Sequence, residues 1–175
     1  VYKRQDVDMV AVGSYYAGAN VIHLDGAYGG TGAAPDIAKK NIAMPIEYAT
    51  AKAHEFLVNE GIRDEVVLIA SGGIRTPEDV LKSIALGADG VVFGTAELVA
   101  IDCVRCGNCE RDRGCPIGIA TTDPDLAPQM TADWVKDRIC NMYKSWAVTM
   151  EKRLRNLGMN NIRQLRGRWD LLSLK

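Results

Sequence analysis

The stretch Glu65-Val66-Val67-Leu68-Ile69-Ala70-Ser71-Gly72-Gly73-Ile74-Arg75-Thr76-Pro77 decides the fold. Val66 to Ala70 is an unbroken apolar run of strand length, which reads as a buried strand. Gly72-Gly73 ends it. Thr76 then offers a helix cap, Pro77 suits the first helical position, and Asp79 stands where the reciprocal half of a capping box belongs. Val80, Leu81 and Ile84 form the inward face of that helix, and Gly87 stops it. A strand, a glycine turn and a capped helix make one βα unit.

The same unit recurs on both sides. Upstream, Met9, Val12 and Tyr16 recur at helical spacing within 8–19, and Asn20 to Asp25 reads as a short strand. A glycine-rich loop follows from Gly26 to Pro35. A helix is expected over 44–59, begun by Pro45, with Ala49, Ala53, Phe56 and Leu57 on its apolar side. Downstream, Asp89 to Phe93 is a third strand, and Gly94-Thr95 opens a short helix to Ile101. Strands that are apolar almost throughout, joined by short connections, indicate parallel strands covered on both faces. Three units do not close a barrel by themselves. The chain is therefore either a small open α/β domain or the last part of a (β/α)8 barrel. In such barrels a phosphate commonly sits on the loops after the last two strands. Gly72-Gly73 and Gly94-Thr95 occupy those places, so the fold class is α/β, the C-terminal portion of a TIM barrel.

Beyond the barrel units, four of the five cysteines crowd into Cys103-Val104-Arg105-Cys106-Gly107-Asn108-Cys109 and Cys115-Pro116. Thr131 to Leu157 then reads as one long amphipathic helix, with Val135, Ile139, Met142, Trp146, Met150, Leu154 and Leu157 on one stripe. Asn161 to Leu165 adds a turn. The organisation is thus barrel units over 6–101, a cysteine loop over 102–124 and a helical extension over 125–175. Val1 to Gln5 resembles the translation of a sequencing adapter rather than an ordinary frayed terminus, and is set aside as a non-native leader.

The chain has 175 residues, 47% of them apolar and 25% charged, with a net charge of −1. That balance calls for no nucleic acid and no anionic membrane. No apolar run approaches a membrane span and no signal peptide is legible, so a cytoplasmic protein is expected. In a reducing compartment clustered cysteines are more often metal ligands than disulfides. Their spacing, C-x2-C-x2-C-x5-C-P, is similar to ferredoxin-type cluster runs, in which short loops bring several thiolates onto one cuboidal cluster. A four-thiolate zinc site and unligated thiols are the competing readings. Cys140, alone on its helix, reads as structural.

The glycine turns suit a phosphate dianion, because backbone N–H groups at a helix start can point at it. A tight turn with nothing bound is the plain alternative. His23 reads as a buried, satisfied histidine. Asp25, at a strand's C-terminal end, lies where barrel active sites form, or braces the glycine loop. Arg75 could reach an anionic group or simply be solvated. No catalytic residue is assigned.

Together these residues carry a resemblance to a known family. Gly26-Ala27-Tyr28-Gly29-Gly30-Thr31-Gly32-Ala33-Ala34-Pro35, Ser71 to Arg75, Ala88 to Thr95, and the cysteine loop through Pro116-Ile117-Gly118-Ile119-Ala120-Thr121 resemble the FMN-binding synthase domain of glutamate synthases, large-subunit or archaeal-type. So does the tail from Leu157-Gly158 through Gly167-Arg168-Trp169-Asp170-Leu171-Leu172. The resemblance implies that 2-oxoglutarate and glutamine-derived ammonia give 2-iminoglutarate, which FMN hydride reduces to L-glutamate. It implies a [3Fe-4S] cluster on Cys103, Cys109 and Cys115. The second gap between these ligands is one residue longer than the family's usual one, and Cys106 is an additional thiol, so a [4Fe-4S] cluster using Cys106 is the alternative. Gly72, Gly73, Gly94 and Thr95 would hold the FMN phosphate, and Gly29, Gly30, Thr31 and Gly32 would lie near flavin and substrate. A glutaminase domain or subunit, and an NADPH-oxidising subunit or ferredoxin, would be the partners.

The family's lysine, its glutaminase and the first part of the barrel are not in these 175 residues, so the piece is expected to be inactive alone. Its open strand edges make aggregation the expected behaviour of the isolated chain. The alternatives are a stand-alone iron–sulfur and flavin electron-transfer module, or another FMN-dependent barrel oxidoreductase.

Overall fold

The structure, a computed structural model, describes residues 6–30, 34–35, 37–111 and 113–173. The leader 1–5 and the loop residues Thr31, Gly32 and Ala33 lie outside the described residues. Helix α1 (Val7–Tyr16) leads into strand β1 (Val21–Asp25). A short π-helical stretch, Ala38–Ile42, precedes α2 (Ile46–Asn59), and β2 (Val67–Ser71) follows. Next come α3 (Pro77–Ala85), β3 (Gly90–Val92) and α4 (Thr95–Ala100). The strands are parallel in the order β1-β2-β3, with Asp25 opposite Ser71 and Ser71 opposite Val92. All three glycine-bearing turns therefore open at one end of the sheet.

The apolar side expected of α2 is the one that is buried. Ala49, Ala53 and Leu57, four residues apart, pack into the core with Leu68 and Ala70 of β2, while Phe56 packs at its edge. Helix α3 starts as its sequence dictates. Thr76 Oγ1 accepts from the Asp79 N–H, and the Asp79 carboxylate accepts from the Thr76 N–H. Burial alone would raise the Asp79 pKa, but bonds from the Arg75 N–H, Thr76 and Lys82 bring it below the ordinary carboxylate value. Thr76→Ala is expected to destabilise the fold by about 1 kcal/mol. Urea denaturation of the full-length protein checks this, and an unchanged midpoint would contradict it.

The sheet is covered on one face only, which corrects the expectation of two covered faces. Ile22 and Leu24 are buried beneath the helices, whereas Val21, His23 and Asp25 point to the open side. Val67 and Val92 are exposed with them. The physical reason is strand number: three strands are too few to close into a barrel and cover their own second face. Apolar runs alone did not distinguish a strand packed by helices on both sides from one facing a barrel interior.

The end of the sheet away from the glycine turns is tied by ions. Arg63 is 5% exposed. It donates to the carbonyls of Val66 and Gly87, to Asp89 Oδ2 and, through Nε, to His54 Nδ1. Asp89 also accepts from the Leu68 N–H and from Arg166, whose other nitrogen reaches Asp64. His54 is pinched between two glycines. A Cβ on Gly87 would stand 2.1 Å from His54 Cγ, and one on Gly167 would stand 2.7 Å from its Nε2. Burial, then the charges of Arg63 and Arg166, lower the His54 pKa. Its folded pKa lies below its unfolded value, so the stability it contributes is present above about pH 6.5 and is lost as pH falls through that value toward the folded pKa. Melting temperature is expected to fall from pH 7 to pH 5 less steeply in His54→Gln than in the parent. Equal slopes would contradict it.

Helix α5 (Ala132–Asn156) is one continuous run of 25 residues. Of its expected stripe, Leu154 is buried, and Val135, Ile139, Met142, Trp146 and Met150 are half-covered. Leu157, just past the helix end, is exposed, which corrects its place on the inward stripe. Trp146 and Tyr143 rest on Phe93, with ring centroids 4.9 and 5.8 Å apart. Cys140 is exposed rather than packed, so the structural reading of that thiol is also corrected. The turn expected near 161–165 is a short helix, Ile162–Leu165, capped by Asn161 and followed by Arg166 in the ion network. Among the described residues no helix is long and apolar enough to cross a membrane.

Candidate functional site

The C-terminal ends of the three strands enclose a cleft of about 380 Å³. β1 supplies His23 and Asp25, with Tyr28, Gly29 and Gly30 from the loop after it. β2 ends there in Ser71, Gly72 and Gly73, and β3 delivers Val92, Phe93, Gly94 and Thr95. Six of the eight expected cofactor-binding residues thus meet in one cavity; Thr31 and Gly32 lie outside the described residues. The glycines are there for stated reasons. Gly72 has φ +98°, and a Cβ on it would stand 2.6 Å from the Gly26 carbonyl oxygen. A Cβ on Gly29 would meet the Asp25 carboxylate at 2.3 Å. The position of a Cβ on Gly94 has nothing within 4 Å, so that backbone borders open cleft.

The polar groups of the cleft are linked. Asp25 Oδ1 accepts from Ser71 Oγ at 2.6 Å, and Ser71 Oγ stands 2.8 Å from His23 Nε2. A carboxylate only accepts, so the serine proton goes to Asp25 and the serine oxygen receives the His23 Nε2–H. His23 is therefore an open-face histidine bonded to Ser71, not the buried one expected from the strand alone. Asp25 is fixed by a serine on the neighbouring strand. Arg75 lies over the Tyr28 ring, 5.5 Å from its centroid.

The cysteine loop leaves α4 through Asp102, and Arg138 of α5 pairs with the Asp102 carboxylate. Cys115 is buried, Cys103 is half-covered, and Cys106 and Cys109 are exposed. Burial pushes the Cys115 thiol up, but the N–H groups of Ala120, Ile117, Ile119 and Gly118 bond its sulfur and bring it below its ordinary value. Gly118 lets that turn close: it has φ +79°, and a Cβ there would meet the Leu126 carbonyl oxygen at 2.4 Å. Among the described residues no three His, Cys, Asp or Glu side chains are grouped to hold a metal ion. The backbone N–H donors around Cys115 favour a thiolate there, while Cys103, Cys106 and Cys109 are not grouped with it.

Sequence reasoning missed the His23–Ser71–Asp25 chain, the Phe93–Trp146 contact and the Arg63 network. The first had a signal: parallel register sets Asp25 opposite Ser71. The other two depend on tertiary packing that no local pattern announces.

Parallel βα units whose strand ends converge on a glycine-lined cleft define a barrel-type α/β protein with its site at the strands' C-terminal end. Solved structures agree on the fold. A flavocytochrome b2 mutant with benzoylformate is similar at a TM-score of 0.59 and 17% identity, covering 92% of this chain and 32% of that one. The family model described as "Conserved region in glutamate synthase" matches residues 2–160. The chain belongs to the glutamate synthase family. It is 41% identical over 167 residues to an archaeal-type glutamate synthase [NADPH] of Thermotoga maritima, covering 95% of this chain and 33% of that protein. It is 42% identical over 163 residues to an archaeal glutamate synthase [NADPH] of Methanocaldococcus jannaschii, covering 93% and 32%. The glutamate synthase [NADPH] large chain of Bacillus subtilis is 37% identical over 166 residues, covering 95% and 11%. The chain spans about a third of the length of the archaeal-type relatives it matches.

Proposed function

We propose that this chain is the C-terminal part of the FMN-binding synthase domain of a glutamate synthase. Its cleft belongs to the step that turns 2-iminoglutarate, formed from 2-oxoglutarate and ammonia with loss of water, into L-glutamate. The observation that carries the reading is the convergence of Gly72, Gly73, Gly94 and Thr95 with His23 and Asp25 in one cleft, in a member of this family. The cleft has room for a flavin phosphate beside Gly94, where a Cβ would have nothing within 4 Å, while Gly72 lets its turn close against the Gly26 backbone. Bound there, FMN would supply the hydride. Gly72, Gly73, Gly94 and Thr95 would hold its phosphate, and Gly29, Gly30, Thr31 and Gly32 would close over flavin and substrate. Ser71 holds Asp25 and His23 in fixed orientations on the open face. Those two side chains bring the cleft one carboxylate and one imidazole that can hold a proton.

Cys103, Cys109 and Cys115 would hold a [3Fe-4S] cluster, with Cys106 as a fourth ligand in the [4Fe-4S] alternative. The amide-surrounded Cys115 supports the reading. The cluster would pass electrons from an NADPH-oxidising subunit or ferredoxin, and a glutaminase elsewhere would release ammonia. The domain scheme follows: barrel units over 6–101, cluster loop over 102–124, helical extension over 125–175, in a cytoplasmic enzyme. This piece alone is expected to be inactive.

Anaerobic metal and flavin analysis of the full-length protein tests this. Iron, acid-labile sulfide and FMN are expected together. Cys115→Ser should lose most of the iron and sulfide while keeping its FMN. Zinc in place of iron, or iron unchanged in Cys115→Ser, would contradict the cluster assignment. In Cys106→Ala, loss of cluster iron relative to the parent would favour four irons, and an unchanged content three.

A further inference from the structure

A second cleft, of about 480 Å³, lies beside the first between α4, α5 and the cysteine loop. Its volume is in the range of small-molecule sites. The two clefts share Arg75 and Thr95. Arg105 enters from the cysteine loop, and Arg138, Asn141, Met142 and Trp146 come from one face of α5 at spacings of three and four residues. Ala96, Val99 and Ala100 of α4 make the opposite wall. Among the described residues the lining carries three guanidiniums and no carboxylate.

All three arginines are exposed, and two features restrain Arg138 and Arg105. Arg138 is anchored from two sides, by the Asp102 carboxylate and by the Trp134 ring, 5.1 Å from its guanidinium. The loop that brings Arg105 in is bent at two non-glycine residues of positive φ, Asp102 at 66° and Arg105 at 53°. Such conformations are costly for side-chain-bearing residues and persist where surrounding structure imposes them. The bend at Asp102 sets its carboxylate on Arg138, and the bend at Arg105 sits where that side chain joins the cleft. Trp146 is held by Phe93, so its ring is fixed as one wall. Asp102 offsets the charge of Arg138, and Arg75 and Arg105 leave the cavity net positive, which favours an anion there. Arginine is the residue best suited to take carboxylate or phosphate in two-point contact.

We propose that this second cleft binds a small organic polyanion, with its oxyanion groups on Arg75, Arg105 and Arg138 and its apolar or planar body against Met142 and Trp146. The oxyanions are carboxylates or phosphates, and the occupant is a neighbour of whatever fills the first cleft. The proposal rests on the arginines and on the wall made by Trp146, held by Phe93, and stands whether or not the first cleft holds a flavin.

Calorimetric titration of the full-length protein with adenosine diphosphate and, separately, with succinate, a dicarboxylate without the keto group the first cleft is proposed to act on, tests it. One of the two is expected to saturate at one site per chain that weakens about tenfold or more in Arg105→Ala and in Arg138→Gln. Arg138 also holds Asp102 at the base of the loop that carries Arg105, so melting temperature is read on both variants, and an unchanged value separates weakened binding from collapse of that loop. Arg105→Lys should recover only part of the affinity, because an ammonium keeps the charge but makes a single-point contact. Preference for the nucleotide assigns phosphate as the source, and preference for the dicarboxylate assigns carboxylate. Three results would overturn the proposal: no saturable binding of either probe, affinities unchanged in both arginine variants, or binding that releases flavin mole for mole. The last would make the second cleft part of the first.

Discussion

Arg63→Met is expected to destabilise the protein by about 3–5 kcal/mol, the range for removing one partner of a buried, hydrogen-bonded charge. The side chain is similar in length, so packing changes little and the polar groups decide the cost. The carbonyls of Val66 and Gly87 and the Nδ1 of His54 each lose a donor. Each buried group left without a partner costs about 1–3 kcal/mol. Asp89 keeps Arg166 and the Leu68 N–H, which limits the loss. The effect reaches the C-terminal tail, because Asp89 joins Arg63 to Arg166 and Gly167 bonds the Ile84 carbonyl. Limited proteolysis of the variant should therefore cut first after α5. A shift in denaturation midpoint equivalent to less than about 1 kcal/mol, the range of an exposed ion pair, would contradict this reading of Arg63.

Gly72→Ala is expected to reduce flavin occupancy of the full-length protein at least about tenfold, a loss of about 1.4 kcal/mol or more in binding. A Cβ there meets the Gly26 backbone on three atoms, between 2.6 and 2.9 Å, and φ is +98°. Backbone does not move aside as a flexible side chain does, so the turn must shift and the cleft with it. Gly94→Ala separates strain from binding. Its Cβ would have nothing within 4 Å. That variant should keep the parent's melting temperature and still bind flavin more weakly, because the methyl group enters the cleft. Flavin content and melting temperature measured on both variants decide it. Full flavin occupancy in Gly72→Ala would remove these turns from the flavin site.

What was legible in the sequence was local. Thr76, Pro77 and Asp79 announce a helix start within four residues, and the structure forms that start. Gly72-Gly73 and Gly94-Thr95 mark the ends of consecutive strands, and parallel pairing then brings them to one side. The spacing of Ala49, Ala53 and Leu57 gives the buried side of α2. What was not legible depends on partners distant in the chain. His23 was read as buried because strands of this composition usually are, yet among the described residues its face has no layer over it. Arg63 lies in a charged turn, Ile62-Arg63-Asp64-Glu65, that looks solvent-facing. Only the closure of Gly87, Asp89 and His54 around it makes it a buried residue. Cys140 sits on a helix that packs through a single stripe, and four residues before it Lys136 already faces water.

The central claim, that the first cleft serves the reduction of 2-iminoglutarate, is tested most directly by flavin absorbance. The full-length protein is reduced anaerobically and mixed with 2-oxoglutarate and ammonium. The account predicts that the oxidised flavin band returns and one L-glutamate appears per flavin, with neither seen when 2-oxoglutarate is left out. Flavin that stays reduced in the presence of both, with no glutamate formed, would contradict it.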